Sequence, residues 1–179
     1  MHIRPFEIAD QAAVIELWQL CELTRPWKFL ILGGGEARAS IRNTVRALKL
    51  DDQVIMPGFI SYDELTEHLC LADVAINTFE SSLVTNCALP WKVVQYLACG
   101  LPVVSTRLAG LQGLVPDGKG VVYQNLDDGF TRAVSHLLLD DIARQQQISR
   151  SRGSIAEKCN WDICLPQFTD LLQKFVKNS

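Results

Sequence analysis

The residues best suited to chemistry lie at positions 85–106, which read T-N-C-A-L-P-W-K-V-V-Q-Y-L-A-C-G-L-P-V-V-S-T. Pro90 suits the first turn of a helix, and Gly100 supplies a stop signal at the other end. The start of a helix carries unpaired backbone N–H groups and a partial positive charge, and Lys92 adds a full positive charge beside them. Amides and a cation at one point predict a site for an anion such as a diphosphate.

The elements predicted around this stretch explain how its polar residues are held. Val93, Val94, Leu97 and Ala98 fall on one face of the helix, which we expect to be buried. The run at residues 102–106, with its β-branched residues, predicts a short buried strand after the helix. A loop, a helix and a strand in this order are typical of a doubly wound domain. An ordinary βα unit without a ligand is therefore one interpretation of the segment.

A second interpretation comes from a resemblance. The pattern P-x-K-x-x-[EQ]-Y-x-A-C-G-x-P-V-V resembles the nucleotide-sugar motif in the C-terminal domain of retaining glycosyltransferases of family 4, which have the GT-B fold. The resemblance implies that Lys92 and the helix start face the donor diphosphate. The neighbouring positions implied to bind the donor are Thr85, Asn86 and Pro90. Gln95 lies at the position implied to hold the ribose hydroxyls, where glutamine can form a hydrogen bond but carries no charge.

Two positions depart from the pattern of that family. Its members carry an acidic residue where this chain has Gln95, and many place a glutamate against the donor sugar where this chain has Cys87. These departures favour an alternative, a non-catalytic interaction or remnant domain of glycosyltransferase fold. No Ser-His-Asp, Cys-His or paired-carboxylate pattern has the spacing for nucleophilic or acid–base catalysis. The resemblance implies electrostatic catalysis with retained anomeric configuration, in which Lys92 is the catalytic residue that carries charge from the leaving diphosphate.

Length and composition narrow the function classes. A chain of 179 residues suffices for one ordinary domain but is short for a two-domain GT-B enzyme. We therefore expect a donor-binding half that needs an acceptor domain from a partner chain or a longer protein, or that self-associates through an uncovered apolar surface. The net charge of −3 gives no basic field for nucleic acid. Without a long apolar run or a secretory signal, we expect a cytoplasmic protein with no membrane span.

Metals and cofactors are not predicted. The six cysteines are scattered without a C-x-x-C pair, which favours buried reduced thiols over disulfides or a zinc site. His2, His68 and His136 are too far apart in sequence to suggest a ligand set. The turn Gly33-Gly34-Gly35 follows a buried strand, but Arg38 stands where a dinucleotide fingerprint needs its third glycine, so a nicotinamide or flavin is not expected.

Residues 1–27 differ from the rest of the chain. Residues 2–8 predict a short strand and residues 9–23 a helix. The pattern I-R-P-F-x-x-x-D, followed by L-W-x-x-C-x-L-x-R-P-W, resembles the start of GNAT-type acetyltransferases. This implies a β-α unit of separate origin that packs into the same domain. The acetyl-CoA loop of that family does not occur later in the chain, so acetyl transfer is not expected. The resemblance to glycosyltransferases covers residues 28–179.

Two loops after predicted strands complete the candidate site. The glycines at 33–35 allow close approach of a ligand to the backbone after the strand at residues 28–32. The turn at residues 57–60 follows the strand at residues 53–56, and the resemblance implies that Gly58 and Phe59 cradle the nucleotide base there. Phe59 equally suits a position in the core.

The order of elements predicts the fold class. Further strands are expected at residues 73–78 and 121–123, with a loop at 79–89 and a turn at 108–120. Ser61 and Glu64 form a capping box at the start of a helix. The final helix either packs on its own domain or reaches across to an acceptor domain. We predict an α/β, doubly wound, Rossmann-like parallel sheet of about six strands with helices on both faces, which is one half of a GT-B fold. Helices are expected at residues 37–50, 61–71, 127–139, 140–158 and 161–176.

Overall fold

Strands and helices alternate along the chain in an α/β fold. The structure is a computed structural model, and it describes residues 26–156 and 158–177. The predicted strand at residues 2–8 and helix at residues 9–23 lie outside these ranges. The described part contains five strands: β1 (Phe29–Leu32), β2 (Val54–Gly58), β3 (Ala75–Asn77), β4 (Val103–Ser105) and β5 (Val121–Tyr123).

Eight helices accompany these strands within the described ranges. The elements predicted from residue 28 onwards are all present, and their ends differ from the prediction by three residues or fewer. The prediction was wrong at 79–89 and 108–120, where the expected loop and turn each contain a short helix, α3 and α5. The helices are α1 (Arg38–Ala47), α2 (Tyr62–Leu69), α3 (Leu83–Cys87), α4 (Trp91–Ala98), α5 (Ala109–Leu114), α6 (Asp128–Leu139), α7 (Asp141–Ala156) and α8 (Trp161–Lys177).

All described strand pairs are parallel, but they form two sheets instead of one continuous sheet. β1 pairs with β2, while β3, β4 and β5 pair in that order. No ladder joins β1 to β3 within the described residues, which differs from the single sheet that we predicted. Asn77, Ser105 and Tyr123 lie side by side in register at the last position of their strands. The carboxyl ends of β3, β4 and β5 therefore meet at one edge, where ligands of open parallel sheets bind.

Helices cover both faces of the three-stranded sheet, as predicted. On one face, Val103 and Val121 form a buried cluster with Leu97 of α4. On the other face, Val104 packs with Phe130 of α6. Full burial of one such side chain stabilises the fold by roughly 1.5–3 kcal/mol, so these two clusters hold the sheet and its helices in place.

The two-stranded sheet has its own core and shares a second one. Ile31 and Val54 pack against Ile41 and Val45 of α1. Phe29 of β1 also packs against the cluster under α6, which belongs to the three-stranded sheet. Both sheets are therefore held together by apolar contact, although no hydrogen-bond ladder between them is described.

The final helix, α8, carries several large apolar side chains that face solvent. Trp161, Phe168 and Phe175 are 72%, 58% and 67% exposed. Much of this face is therefore exposed within the described residues, and its contact with an acceptor domain stays a prediction. Within residues 26–156 and 158–177, no helix combines the length and the apolar character that crossing a membrane requires.

Candidate functional site

The motif helix α4 is fixed on one side and lacks a side-chain cap at its start. Val93, Val94 and Leu97 are buried in the core of the three-stranded sheet, as predicted. Ala98, the last residue of α4, is exposed, so its predicted burial was wrong. Pro90 occupies the N-cap position, and no side chain makes a capping hydrogen bond there. Because the buried face fixes the helix, its first turn is held rigidly at the place where the sequence predicts the diphosphate.

Lys92 lies at the carboxyl end of β3. Its Nζ is 4.0 Å from the centroid of the Phe79 ring, and Phe79 follows β3 by two residues. An ammonium group over an aromatic ring is attracted by roughly 0.5–1 kcal/mol at an exposed site. The ring thus holds the cation at the strand ends with a weak contact that a stronger partner can replace.

The loop that carries Phe79 is tied to the neighbouring strand. The hydroxyl of Thr106 donates a hydrogen bond to the carbonyl oxygen of Phe79, and the backbone N–H of Thr106 donates to the carbonyl oxygen of Asn77 at 2.9 Å. Thr106 is itself 7% exposed. The ends of β3 and β4 therefore position the ring, and the ring positions Lys92.

Thr85 and Asn86 lie in α3 and hold the loop together. Thr85 and Ser82 form a capping box at the start of α3. The side chain of Asn86 donates to Ser81 Oγ at 2.8 Å and accepts from the backbone N–H of Ala109 at 2.9 Å, which caps α5. Both predicted donor residues therefore already have partners within the protein, and their contact with a donor stays a prediction.

The glycine turns after β1 and β2 adjoin each other. Gly33 has φ of 119° and Gly58 has φ of 98°, which are conformations that favour glycine. The N–H of Gly33 donates to the carbonyl oxygen of Gly58 at 2.8 Å, which places the predicted turn Gly33-Gly34-Gly35 beside Gly58. Phe59 is 69% exposed, so it is not a core residue. The alternative, that it contacts a nucleotide base, stays a prediction.

The two positions that depart from the resemblance are both accessible. Gln95 is half-buried and lies three residues after Lys92, so both side chains share one side of α4. Cys87 is exposed at the end of α3, so the prediction of a buried thiol was wrong at this position. A glutamine and a thiol at these positions mean that two acidic groups of the family pattern are missing near Lys92.

The acids and cavities of the described part do not form a second site. Asp117 accepts a hydrogen bond from the backbone N–H of Tyr123. Burial, and to a smaller extent the nearby Asp117, raises the pKa of Tyr123, whose hydroxyl donates to the carbonyl oxygen of Val115 at 2.8 Å. No group of three or more His, Cys, Asp or Glu side chains in the described ranges could hold a metal. A surface depression of about 430 Å³ is lined by residues of α7 and includes no predicted donor residue.

Sequence reasoning missed two residues that shape the site. Phe79 was assigned only to a loop, although an aromatic residue directly after a strand of a parallel sheet lies at the binding edge. Gly110 was assigned to a turn, but a Cβ at this position would lie 2.8 Å from the carbonyl oxygen of Asn86. Gly110 therefore permits α3 and α5 to approach closely, and no local pattern signals such a contact.

Comparison with known proteins identifies the family. The family described as Glycosyl transferases group 1 matches residues 9–140, which is 132 of the 179 residues. The match includes residues 9–27, for which the sequence suggested a separate origin. The acetyltransferase resemblance is not confirmed, and the boundary at residue 27 stays a prediction.

Curated relatives are distant and longer. The chitobiosyldiphosphodolichol beta-mannosyltransferase of Candida albicans is 25% identical over 142 residues, which cover 78% of this chain and 31% of the relative. The N-acetyl-alpha-D-glucosaminyl L-malate synthase of Bacillus anthracis is 23% identical over 153 residues, which cover 84% of this chain and 38% of the relative. The chain thus spans less than half the length of these relatives.

Solved structures share the fold. A glycosyltransferase from Rickettsia africae matches with a TM-score of 0.80 at 13% identity, over 98% of this chain and 47% of that one. HepE from Anabaena, in complex with UDP and glucose, matches with a TM-score of 0.79 at 13% identity, over 95% of this chain and 47% of that one. The α/β fold is thus that of half of a GT-B glycosyltransferase. Together with the family match, this shows that the chain belongs to the glycosyl transferases group 1 family.

Proposed function

We propose that this chain is the donor-binding half of a retaining glycosyltransferase of family 4 type, which binds a nucleoside-diphosphate sugar and takes part in hexosyl transfer. The observation that carries the proposal is Lys92, held over Phe79 at the start of a buried helix that has no side-chain cap. The family match supports it, and so does HepE, a structural neighbour that was solved with UDP and glucose.

The proposed chemistry is electrostatic. As the bond between sugar and diphosphate breaks, negative charge grows on the leaving group, and Lys92 with the first-turn amides of α4 stabilises that charge. Hydrogen bonds to a charged group are worth about 1.5–3 kcal/mol, which exceeds the roughly 0.5–1 kcal/mol of the ring contact. Lys92 would therefore gain more from a hydrogen bond to a phosphate than it loses with the contact to the Phe79 ring.

The remaining predicted residues would hold the rest of the donor. Gln95, on the same side of α4, would bind the ribose hydroxyls through its amide group. The turn at Gly58 and Phe59 would receive the base, and the glycines at 33–35 would let the donor approach the backbone. Thr85 and Asn86 would act by shaping the loop at the diphosphate, with Pro90 setting the entry to α4.

Full turnover would require an acceptor-binding half. The chain spans 31% and 38% of two longer relatives, so we propose that an acceptor domain comes from a longer protein or a partner chain. The exposed apolar face of α8 is a surface for such a contact or for self-association. The cytoplasmic location expected from the sequence stays a prediction.

Calorimetric titration with UDP, GDP and ADP tests the donor site. The native chain should bind one of them selectively, Lys92→Ala should weaken that binding at least tenfold, and Lys119→Ala should not change it. Lys119 is the matched control because it is exposed on the turn before β5, outside the motif. The proposal fails if no nucleotide binds the native chain, or if Lys92→Ala binds as well as the native chain.

A non-catalytic interaction or remnant domain is the second candidate. It is favoured by Gln95 and by the exposed Cys87, which replace two carboxylates of the family pattern. This candidate predicts that the native chain binds no nucleotide and that the double change Cys87→Glu with Gln95→Glu creates binding. Saturable, Lys92-dependent binding by the native chain would rule it out.

A further inference from the structure

Arg38 joins the two glycine turns at the carboxyl ends of β1 and β2. It is the first residue of α1, and its backbone N–H donates to the carbonyl oxygen of Gly35 at 3.1 Å. Its side chain crosses to the other strand, where Nη2 donates to the carbonyl oxygen of Met56 at 3.1 Å. Arg38 is thus hydrogen-bonded both to the first glycine turn and to β2, two residues before Gly58.

The guanidinium group lies directly against Gly58. A Cβ added at Gly58 would lie 3.5 Å from Arg38 Nη2 and 3.7 Å from its Cζ. Gly58 has φ of 98° and accepts a hydrogen bond from the N–H of Gly33 at 2.8 Å. The left-handed turn at Gly58 is therefore held from one side by the guanidinium group and from the other by the first glycine turn.

The charge of Arg38 has no carboxylate partner among the described residues. Among the described residues, ion pairs join His136 to Asp140 and Arg144 to Asp73 and Asp141. The Nε of Arg38 is buried and has no hydrogen-bond partner among the described residues. A buried donor without an acceptor costs free energy, so this placement is not explained by stability alone.

We propose that Arg38 is a positioning residue for the nucleotide base. It fixes the turn at Gly58 so that Phe59, which is 69% exposed, projects where the base would pack. The Lys92 ammonium group lies over Phe79, beside the end of β3 in the other sheet. The diphosphate and the base would therefore be held by different side chains. This inference rests on the proposed function.

Affinities for two probes separate the roles of Arg38 and Lys92. The preferred nucleoside diphosphate and inorganic pyrophosphate would be titrated into the native chain, Arg38→Ala, Arg38→Lys, Lys92→Ala and Arg42→Ala. Arg38→Ala should weaken binding of the preferred nucleotide about tenfold and leave the affinity for pyrophosphate unchanged. The variant should also discriminate less between this nucleotide and the others. Lys92→Ala should lower the affinity for both probes. Arg42→Ala, an exposed change on the same helix, should alter neither.

The conservative variant guards against misfolding. Arg38→Lys keeps the charge and the aliphatic chain but cannot bond Met56 and cover Gly58 together, so its affinity for the nucleotide should fall between the other two. Equal loss of nucleotide and pyrophosphate in the Arg38 variants would overturn the inference, and so would native affinity in both. Failure of the native chain to bind any nucleotide would instead overturn the proposed function.

Discussion

The first turn of α2 is capped by side chains, whereas the first turn of α4 is not. Both helices have eight residues. At α2, the Ser61 side chain accepts from the N–H of Glu64 at 3.3 Å, and the carboxylate of Glu64 accepts from the N–H of Ser61 at 3.3 Å. At α4, no side chain caps the first turn, no acid lies in it, and Lys92 brings a positive charge to a positive helix end.

The difference indicates which helix start is suited to bind a ligand. α2 carries its own negative charge and hydrogen-bond acceptors, so nothing further is needed there. A lysine at the start of α4 is unfavourable by roughly 0.3–1 kcal/mol, and an external anion would reverse the sign of that effect. The contrast therefore supports a diphosphate at α4, and exchanging the features of the two helix starts tests it.

The largest expected effect comes from reversing the charge at α4. Lys92→Glu should weaken nucleotide binding by about 100-fold, because a carboxylate would repel the diphosphate. Its stability should change by less than about 1 kcal/mol, because an acid suits a helix start while the ring contact is lost. Titration calorimetry and thermal unfolding measure the two quantities. Asp63→Lys at α2 is the counterpart, and an effect on nucleotide affinity there would contradict the contrast.

The second prediction concerns the close contact between α3 and α5. In Gly110→Ala, the new Cβ would meet the carbonyl oxygen of Asn86 at 2.8 Å. Forcing this contact apart should lower the free energy of unfolding by about 1–3 kcal/mol. Gly113→Ala in the same helix is the control, because nothing lies within 4 Å of its added Cβ. Denaturant unfolding compares the two, and equal stability would show that α3 is not held by α5.

The third prediction removes the cap of α2. Ser61→Ala should lower the free energy of unfolding by about 1 kcal/mol and leave nucleotide binding unchanged. The hydrogen bond from Ser61 is the main cause that lowers the pKa of Glu64. Stability from this bond is present above the unfolded pKa of Glu64 and is lost as pH falls through its folded value. Thermal melts across the acid range should therefore depend less on pH in the variant, and an unchanged pH dependence would argue against the cap.

The smallest effect is expected at Phe79. Phe79→Leu keeps an apolar side chain but removes the ring that attracts Lys92, so pyrophosphate should bind about two- to fivefold more tightly, which corresponds to roughly 0.5–1 kcal/mol. Phe79→Tyr keeps a ring and should bind as the native chain does. Weaker binding by the leucine variant would mean that the ring orients Lys92 more than it competes with the ligand.

The contrast between α2 and α4 was largely readable from the sequence. Ser61 and Glu64 stand three residues apart, and this spacing predicted the capping box that the structure confirms. Pro90 and Gly100 marked the limits of α4 within two residues. Such features depend on neighbours along the chain, which the sequence shows directly.

Features that depend on distant contacts were not readable. Phe59 is exposed directly after the turn at Gly58, and the Arg38 side chain contacts this turn from α1. The sequence identified Arg38 only as a residue that breaks a dinucleotide fingerprint. α5 was missed because its first N–H is capped by Asn86, which lies 23 residues earlier. The division into two sheets likewise depends on hydrogen bonds between strands that local patterns do not encode.

Tyr123 is buried at the end of β5, and the ultraviolet absorbance of its phenol can report unfolding of the core. Its side chain is 0% exposed, and burial raises its pKa. Stability from the neutral phenol is present below the unfolded tyrosine pKa of about 10 and is lost as pH rises further. Ultraviolet absorbance during an alkaline titration should therefore show one late tyrosinate step that coincides with loss of helical circular dichroism. Tyr123→Phe should lack this step, so ionisation of a single phenol would report the opening of the core.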